Sequence, residues 1–132
     1  MSVIYLDPSA IGKLVVEEPE SAALAAWLDA HDTDLLVTSA LSRVELIRAA
    51  RRRSPDSVPA ALSILAELSV APIDATVLDM ASQLDPAALR TLDVLHLATA
   101  ATLGTDLLCL VAYDDALLDA AGALGLPVEA PR

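Results

Sequence analysis

The run VIYLDPS (residues 3–9) carries the fold in miniature. Val3, Ile4, Tyr5 and Leu6 form an unbroken apolar stretch of strand length. Such a run predicts a central parallel strand covered on both faces. It stops at Asp7-Pro8-Ser9, where Asp7 or Ser9 can cap a helix and Pro8 suits its first turn. A strand therefore runs directly into a helix, predicted through about Val16 and broken at Pro19.

The same succession recurs along the chain. A helix is predicted from Ser21 to about His31, with Leu24, Trp27, Leu28 and His31 in one stripe and His31 at its edge. LLV (35–37) is the second strand, and Thr38 or Ser39 caps a helix that ends at Ser54-Pro55-Asp56. A helix over 57–69, a third strand VAPI (70–73) and a short helix over 75–84 follow. LRTLDVLHLATAATLG (89–104) is a helix stopped by Gly104 at its C′ position. LLCLVA (107–112) is the fourth strand. Next come Tyr113-Asp114-Asp115, a helix to about Leu124, Gly125, and a short fifth strand at Pro127–Val128.

Strands alternating with helices imply a three-layer α/β/α fold around a central parallel five-stranded sheet, here as a single domain spanning residues 1–132. Proline orders the strands. Pro72 and Pro127 fall in the third and fifth, and proline belongs on edges. The proline-free first, second and fourth belong in the centre. The order 3-2-1-4-5 satisfies this with right-handed crossovers. Its winding reverses between strands one and four, and ligands bind outside the strand carboxyl ends at such a switch.

That placement gives the acids their interest. Asp93 lies in an otherwise apolar run, with Leu89, Leu92, Val94, Leu95, Leu97 and Ala98 predicted to surround it. A buried carboxylate needs a partner or a metal. Arg90 can supply the partner as an (i, i+3) pair. Asp7 and Asp114 can be simple helix caps, and Glu45 can pair with Arg48. Yet Asp7 and Asp114 both follow central strands at the switch, Glu45 is on the helix leaving strand two, and Asp93 is on the helix feeding strand four. Carboxylates crowded there would repel one another without a counter-charge. Mg²⁺ or Mn²⁺, which prefer oxygen ligands, resolve this and point to phosphoryl or phosphodiester chemistry through metal-activated water.

Composition narrows the alternatives. With one cysteine, Cys109, there is neither a disulfide nor a thiolate zinc site, and the thiol is expected to be buried and inert. No apolar run reaches membrane-span length, and MSVIYLDPS lacks a basic start and a cleavage-like site, so a cytoplasmic location is expected. The net charge of −11 argues against broad nonspecific binding to nucleic acid. The charge is uneven, however. Five arginines against Glu45 give RVELIRAARRR (43–53) a charge of +4, leaving −15 on the rest. Such a stripe serves a solvated helix face or a phosphate or acidic partner. Tyr5, Trp27 and Tyr113 are too scattered to form a base-stacking platform.

Four segments together resemble the PIN-domain ribonucleases, and among them the VapC-type toxins of toxin–antitoxin pairs. They are YLDPSAIGKL (5–14), SRVELIRA (42–49), LRTLDVLHLATA (89–100) and VAYDDALLDAAGALGLPV (111–128). Each is weak alone; in this order and spacing they cover essentially the whole chain. The resemblance implies that Asp7 and Asp93 are the principal metal ligands, with Glu45 and Asp114 completing the catalytic set around one or two Mg²⁺ or Mn²⁺ ions. Ala112 stands where the family commonly has threonine, and Asp115 is a second acid beside Asp114. The implied activity is metal-dependent RNA hydrolysis. The implied partners are a cognate antitoxin, whose tail would block the acidic cleft with a basic side chain, and a second copy in a homodimer, with higher toxin–antitoxin assemblies built from these.

Arg48 and Arg52 share Glu45's helix face and are candidates to hold the RNA backbone. Lys13 is a further phosphate candidate, while Arg51 and Arg53 are expected to be solvated. Arg90 can pair with Asp93, contact RNA or meet the antitoxin. Ser9 can bond Asp7 or a metal-bound water, and His96 is expected to pack under the site. Two other classes compete. One is a catalytically silent PIN-like binding module, which calorimetry with Mn²⁺ would distinguish. The other is an aspartyl phosphatase using Asp7, which usually wants an acid where Ser9 stands.

Overall fold

The computed structural model describes residues 2–132. In chain order the elements are β1 (Val3–Leu6), α1 (Pro8–Val15), α2 (Ser21–Asp29), β2 (Leu35–Ser39), α3 (Ala40–Arg53), α4 (Val58–Ala66), β3 (Ser69–Ala71), α5 (Ala75–Gln83), α6 (Thr91–Ala101), β4 (Leu107–Val111), α7 (Asp115–Ala123) and β5 (Val128–Glu129). The strands form one parallel sheet in the order β3-β2-β1-β4-β5, as expected.

The apolar run of β1 is buried on both faces because its side chains alternate between two cores. Ile4 and Leu6 join Cys109 and Val111 of β4 against helices α1 to α4. Val3 and Tyr5 join Leu107 and Leu110 against α6 and α7. A smaller cluster of Val77, Ala81 and Ala98 seals α5 onto α6. Leucine, valine and alanine fill both cores. Cys109 is buried among them, and its thiol is pushed up to about 12 by that burial. It is the inert thiol the sequence implies.

Several boundaries differ from expectation. β3 ends at Ala71 and β5 begins at Val128, so Pro72 and Pro127 flank the edge strands rather than lie inside them. Their effect on strand order is the same, because proline lacks the N–H needed to extend a ladder. Pro127 still contributes its carbonyl, which accepts from the Leu110 amide at 2.8 Å. α6 is shorter than 89–104, spanning Thr91–Ala101, and Gly104 opens a 3₁₀ turn with φ of +59°. Leu92, in the first turn of this helix, is 45% exposed rather than packed about Asp93. α2 stops at Asp29, so His31 lies beyond it, with Nδ1 2.7 Å from the Trp27 carbonyl and its ring stacked on the Trp27 ring. Among the described residues, no helix is long and apolar enough to cross a membrane.

Candidate active site

The crevice beyond the carboxyl ends of β1 and β4 is assembled from helix beginnings. The Asp7 amide donates to the Val111 carbonyl at 3.0 Å, continuing the β1–β4 pairing and placing Asp7 against the end of β4. Asp7 is the N-cap of α1: its Oδ2 accepts from the Ser9 amide at 3.0 Å and the Ser9 hydroxyl at 2.6 Å. Asp114 is the N-cap of α7, its Oδ1 accepting from the Leu117 amide at 3.1 Å. Asp93 lies in the first turn of α6. Three of the four candidate acids thus sit at helix N-termini, where the backbone dipole favours negative charge. Capping is compatible with a ligand role, since each cap uses one carboxylate oxygen, Oδ2 of Asp7 and Oδ1 of Asp114.

Glu45 is placed differently, in the second turn of α3. Ser39 caps that helix through the Leu41 amide at 3.1 Å. The buried Thr38 hydroxyl donates to the Leu6 carbonyl at 2.7 Å and lies 2.6 Å from the Ser42 hydroxyl. This pair ties the start of α3 to the end of β1. From there Glu45 reaches inward to His96, with Oε1 2.6 Å from Nε2.

Two nitrogen side chains, Arg90 and His96, divide the acids between them. Arg90, just before α6, donates to Asp93 Oδ2 at 3.0 Å and Asp114 Oδ2 at 3.2 Å while remaining 74% exposed. His96, 1% exposed, lies against Glu45 and has Nδ1 4.0 Å from Asp7 Oδ1. Burial works against a charge on His96, but the bond to Glu45 and the fields of Asp7, Glu45 and Asp93 outweigh it, raising its pKa. Burial raises the Asp7 pKa above the ordinary carboxylate range, against the pull of His96 and the Ser9 bonds. As they stand, no three His, Cys, Asp or Glu side chains among the described residues form a ready chelate. The donor set still suits a hard cation: Asp7, Glu45, Asp93 and Asp114 are all oxygen ligands, and a metal would take over the counter-charge that Arg90 now supplies.

The arginine stripe borders this crevice. Arg48 and Arg52 line a groove of about 580 Å³ together with Pro8, Ser9, Glu45 and Leu92. Glu45 is turned to His96, so the alternative Glu45–Arg48 ion pair does not form. Arg53 is not simply solvated, because it pairs with Glu18 at 2.9 Å. Lys13 does not reach the site as a phosphate ligand: Glu18 and Glu20 hold it at 2.8 and 2.9 Å, and its side chain is 13% exposed. Asp114 rather than Asp115 meets Arg90. Ala112 is fully buried and brings no hydroxyl, but the Ser9 hydroxyl accepts from the Tyr113 amide at 3.0 Å and so links Asp7 to the turn before Asp114. The roles of Tyr5, Thr38 and Ser42 are not legible in the sequence. Ser42, four residues after Thr38 and on the same helix face as Glu45, is the one available signal.

Residues 4–123 match the PIN domain family. Ribonuclease VapC35 of Mycobacterium tuberculosis is 49% identical over 131 residues, covering 98% of this chain and 97% of that protein. Two solved structures share the fold at low identity. VapC20 of Mycobacterium tuberculosis, a Sarcin-Ricin loop cleaving toxin, has a TM-score of 0.76 at 19% identity, covering 97% of this chain and 99% of its own. VapBC2 of Rickettsia felis, bound to a DNA fragment from their promoter, has a TM-score of 0.77 at 14% identity, with 98% and 99% covered. The chain belongs to the PIN-domain family, in its VapC-type branch.

Proposed function

We propose that this protein is a metal-dependent endoribonuclease, the toxin of a type II toxin–antitoxin pair. The observation that carries the reading is the pairing of Asp93 and Asp114 through Arg90, and of Glu45 with a His96 ring 4.0 Å from Asp7, beside a groove lined by Arg48 and Arg52. The near-full-length identity to Ribonuclease VapC35 supports it. The four acids would hold one or two Mg²⁺ or Mn²⁺ ions, which supply an activated water and neutralise charge developing on the phosphate. Ser9 fixes the orientation of Asp7 through two bonds to Oδ2. Arg48 and Arg52 hold RNA phosphates across the groove mouth, and Arg90 is free to do so once released from the acids. Branch membership implies a cognate antitoxin that presents a basic side chain to the same acids. Exposed Leu78 on α5 offers apolar surface for a homodimer, on which higher toxin–antitoxin assemblies would build. Cleavage of RNA by the purified protein with Mn²⁺, stopped by chelation and by the antitoxin, tests the reading. Intact RNA under those conditions would reject it.

The two arginine roles are separable from the chemistry. In the Asp7→Asn background, which keeps RNA whole, Arg48→Ala and Arg52→Ala are each expected to weaken RNA binding about 3- to 10-fold. The slope of log K against log salt should fall by about 0.7 for each single-strand phosphate that the variant no longer neutralises. Unchanged slopes would place both arginines outside the RNA path.

Arg90 favours the second reading, a catalytically silent module, because it already neutralises two of the acids. Arg90 itself is exposed, so solvent screens both pairs even though Asp93 is buried. Arg90→Ala is therefore expected to tighten Mn²⁺ binding about 2- to 10-fold, measured by calorimetry. Absence of saturable Mn²⁺ binding in both wild type and variant would decide for the silent module.

A further inference from the structure

Glu45 alone among the four acids has no helix N-terminus behind it, yet its side chain is not loose. His96 follows Asp93 by three residues on the same face of α6, and its Nε2 lies 2.6 Å from Glu45 Oε1. Its Nδ1 lies 2.6 Å from the Tyr5 hydroxyl. Tyr5 is fully buried in β1, two residues before Asp7. The three side chains form one continuous line from the central strand through α6 to α3.

An ionised carboxylate can only accept, so His96 Nε2 carries the hydrogen toward Glu45. The Tyr5 phenol occupies the other ring nitrogen, either donating to it or accepting from it, and the imidazole is held at both ends. That bond ties up Glu45 Oε1 and leaves Oε2 for other use. We propose that Tyr5 and His96 are positioning residues whose buried relay fixes the Glu45 carboxylate in the orientation that binds the catalytic cation. The proposal rests on the ribonuclease reading. It assigns Tyr5 and His96 no contact with substrate or metal; both act through Glu45. Partners of this kind around ligating carboxylates characteristically tune metal affinity about 10- to 100-fold.

A purely structural role would satisfy the same buried polar groups, so the test needs readouts that packing does not move. Mn²⁺ affinity by calorimetry and RNA cleavage are compared for wild type, Tyr5→Phe, His96→Leu, His96→Gln, Glu45→Gln and the His96→Leu/Glu45→Gln double variant, with folding checked by circular dichroism. Tyr5→Phe removes only the hydroxyl and should keep the fold while weakening Mn²⁺ binding about 3- to 10-fold. His96→Leu should weaken it about 10- to 100-fold, and His96→Gln, which keeps an N–H directed at Glu45, should recover part of the loss. The double variant should be no worse than Glu45→Gln alone, the non-additivity expected of residues acting in one line. With only two histidines in the chain, the ¹⁵N ring signals of His96 give a metal-free check, and Glu45→Gln should shift its Nε2 resonance. Folded Tyr5→Phe and His96→Leu proteins with wild-type Mn²⁺ affinity and cleavage would overturn the positioning role while leaving the ribonuclease reading standing. If wild type itself binds no Mn²⁺, both fall together. If His96→Leu fails to fold, Tyr5→Phe and His96→Gln decide the question.

Discussion

Asp7→Asn is expected to reduce metal-dependent RNA cleavage by on the order of a thousandfold. That loss corresponds to the several kcal/mol of charge stabilisation a bound cation gives the transition state. The fold should not suffer. Asparagine is as good an N-cap as aspartate, and its carbonyl oxygen can accept the same two hydrogens from Ser9. Stability should even rise at neutral pH in metal-free protein. The folded-state pKa of Asp7 lies above its unfolded value because of burial. The native state therefore binds the proton more tightly, and stability falls as pH climbs from the unfolded pKa through the folded one. Above the folded-state pKa the cost of the buried charge is fully present, and asparagine removes it. The melting temperature of Asp7→Asn without metal should thus exceed that of wild type. With Mn²⁺ at about a hundred times its Kd the order reverses, since only wild type gains the roughly 2.7 kcal/mol of ligand stabilisation. Cleavage at the wild-type rate by folded Asp7→Asn would refute the site assignment.

Leu110→Ala should have the largest effect on the fold. Leu110 is fully buried in β4, between β1 and β5, and packs among Tyr5, Leu97 and Leu117 in the core that backs α6 and α7. Truncating a buried leucine costs about 2–5 kcal/mol, most where neighbours cannot move into the space. Here sheet pairing on both sides holds the backbone, so the cost should fall in the upper half of that range. Against a total stability of about 5–15 kcal/mol this is a substantial share. Thermal unfolding should show a drop of about 10–20 °C for a domain of this size. A loss below about 1 kcal/mol would mean the site collapses around the smaller side chain, contrary to the packing described.

The sheet order can be read in advance because proline is excluded from ladder interiors, and Pro72 and Pro127 mark the edge strands even from just outside β3 and β5. The acids are legible for a related reason: Asp7, Asp93 and Asp114 interrupt apolar runs or follow them directly, so each requires a partner. Which partner they take is a matter of three dimensions. The Tyr5–His96 hydrogen bond joins residues 91 positions apart. Nothing in VIYL distinguishes a tyrosine that packs from one that also holds an imidazole. Lys13 looks available in the sequence because Glu18 and Glu20 lie beyond the helix break, and only the chain reversal after α1 folds them back onto it. Leu92 looks buried by type, but in the first turn of α6 it is exposed, where it becomes part of the arginine-lined groove.

The position of β1 in the middle of the sheet has a consequence for how the protein is made. Asp7 is synthesised well before Asp114, and the Ser9–Tyr113 hydrogen bond closes a span of 104 residues. While the chain is still growing, β1 can pair with β2 but its other side stays bare until β4 has emerged. The crevice has only one wall until then. On the ribonuclease reading, a protein synthesised in the midst of RNA becomes a nuclease only once β4 has joined β1 in the sheet.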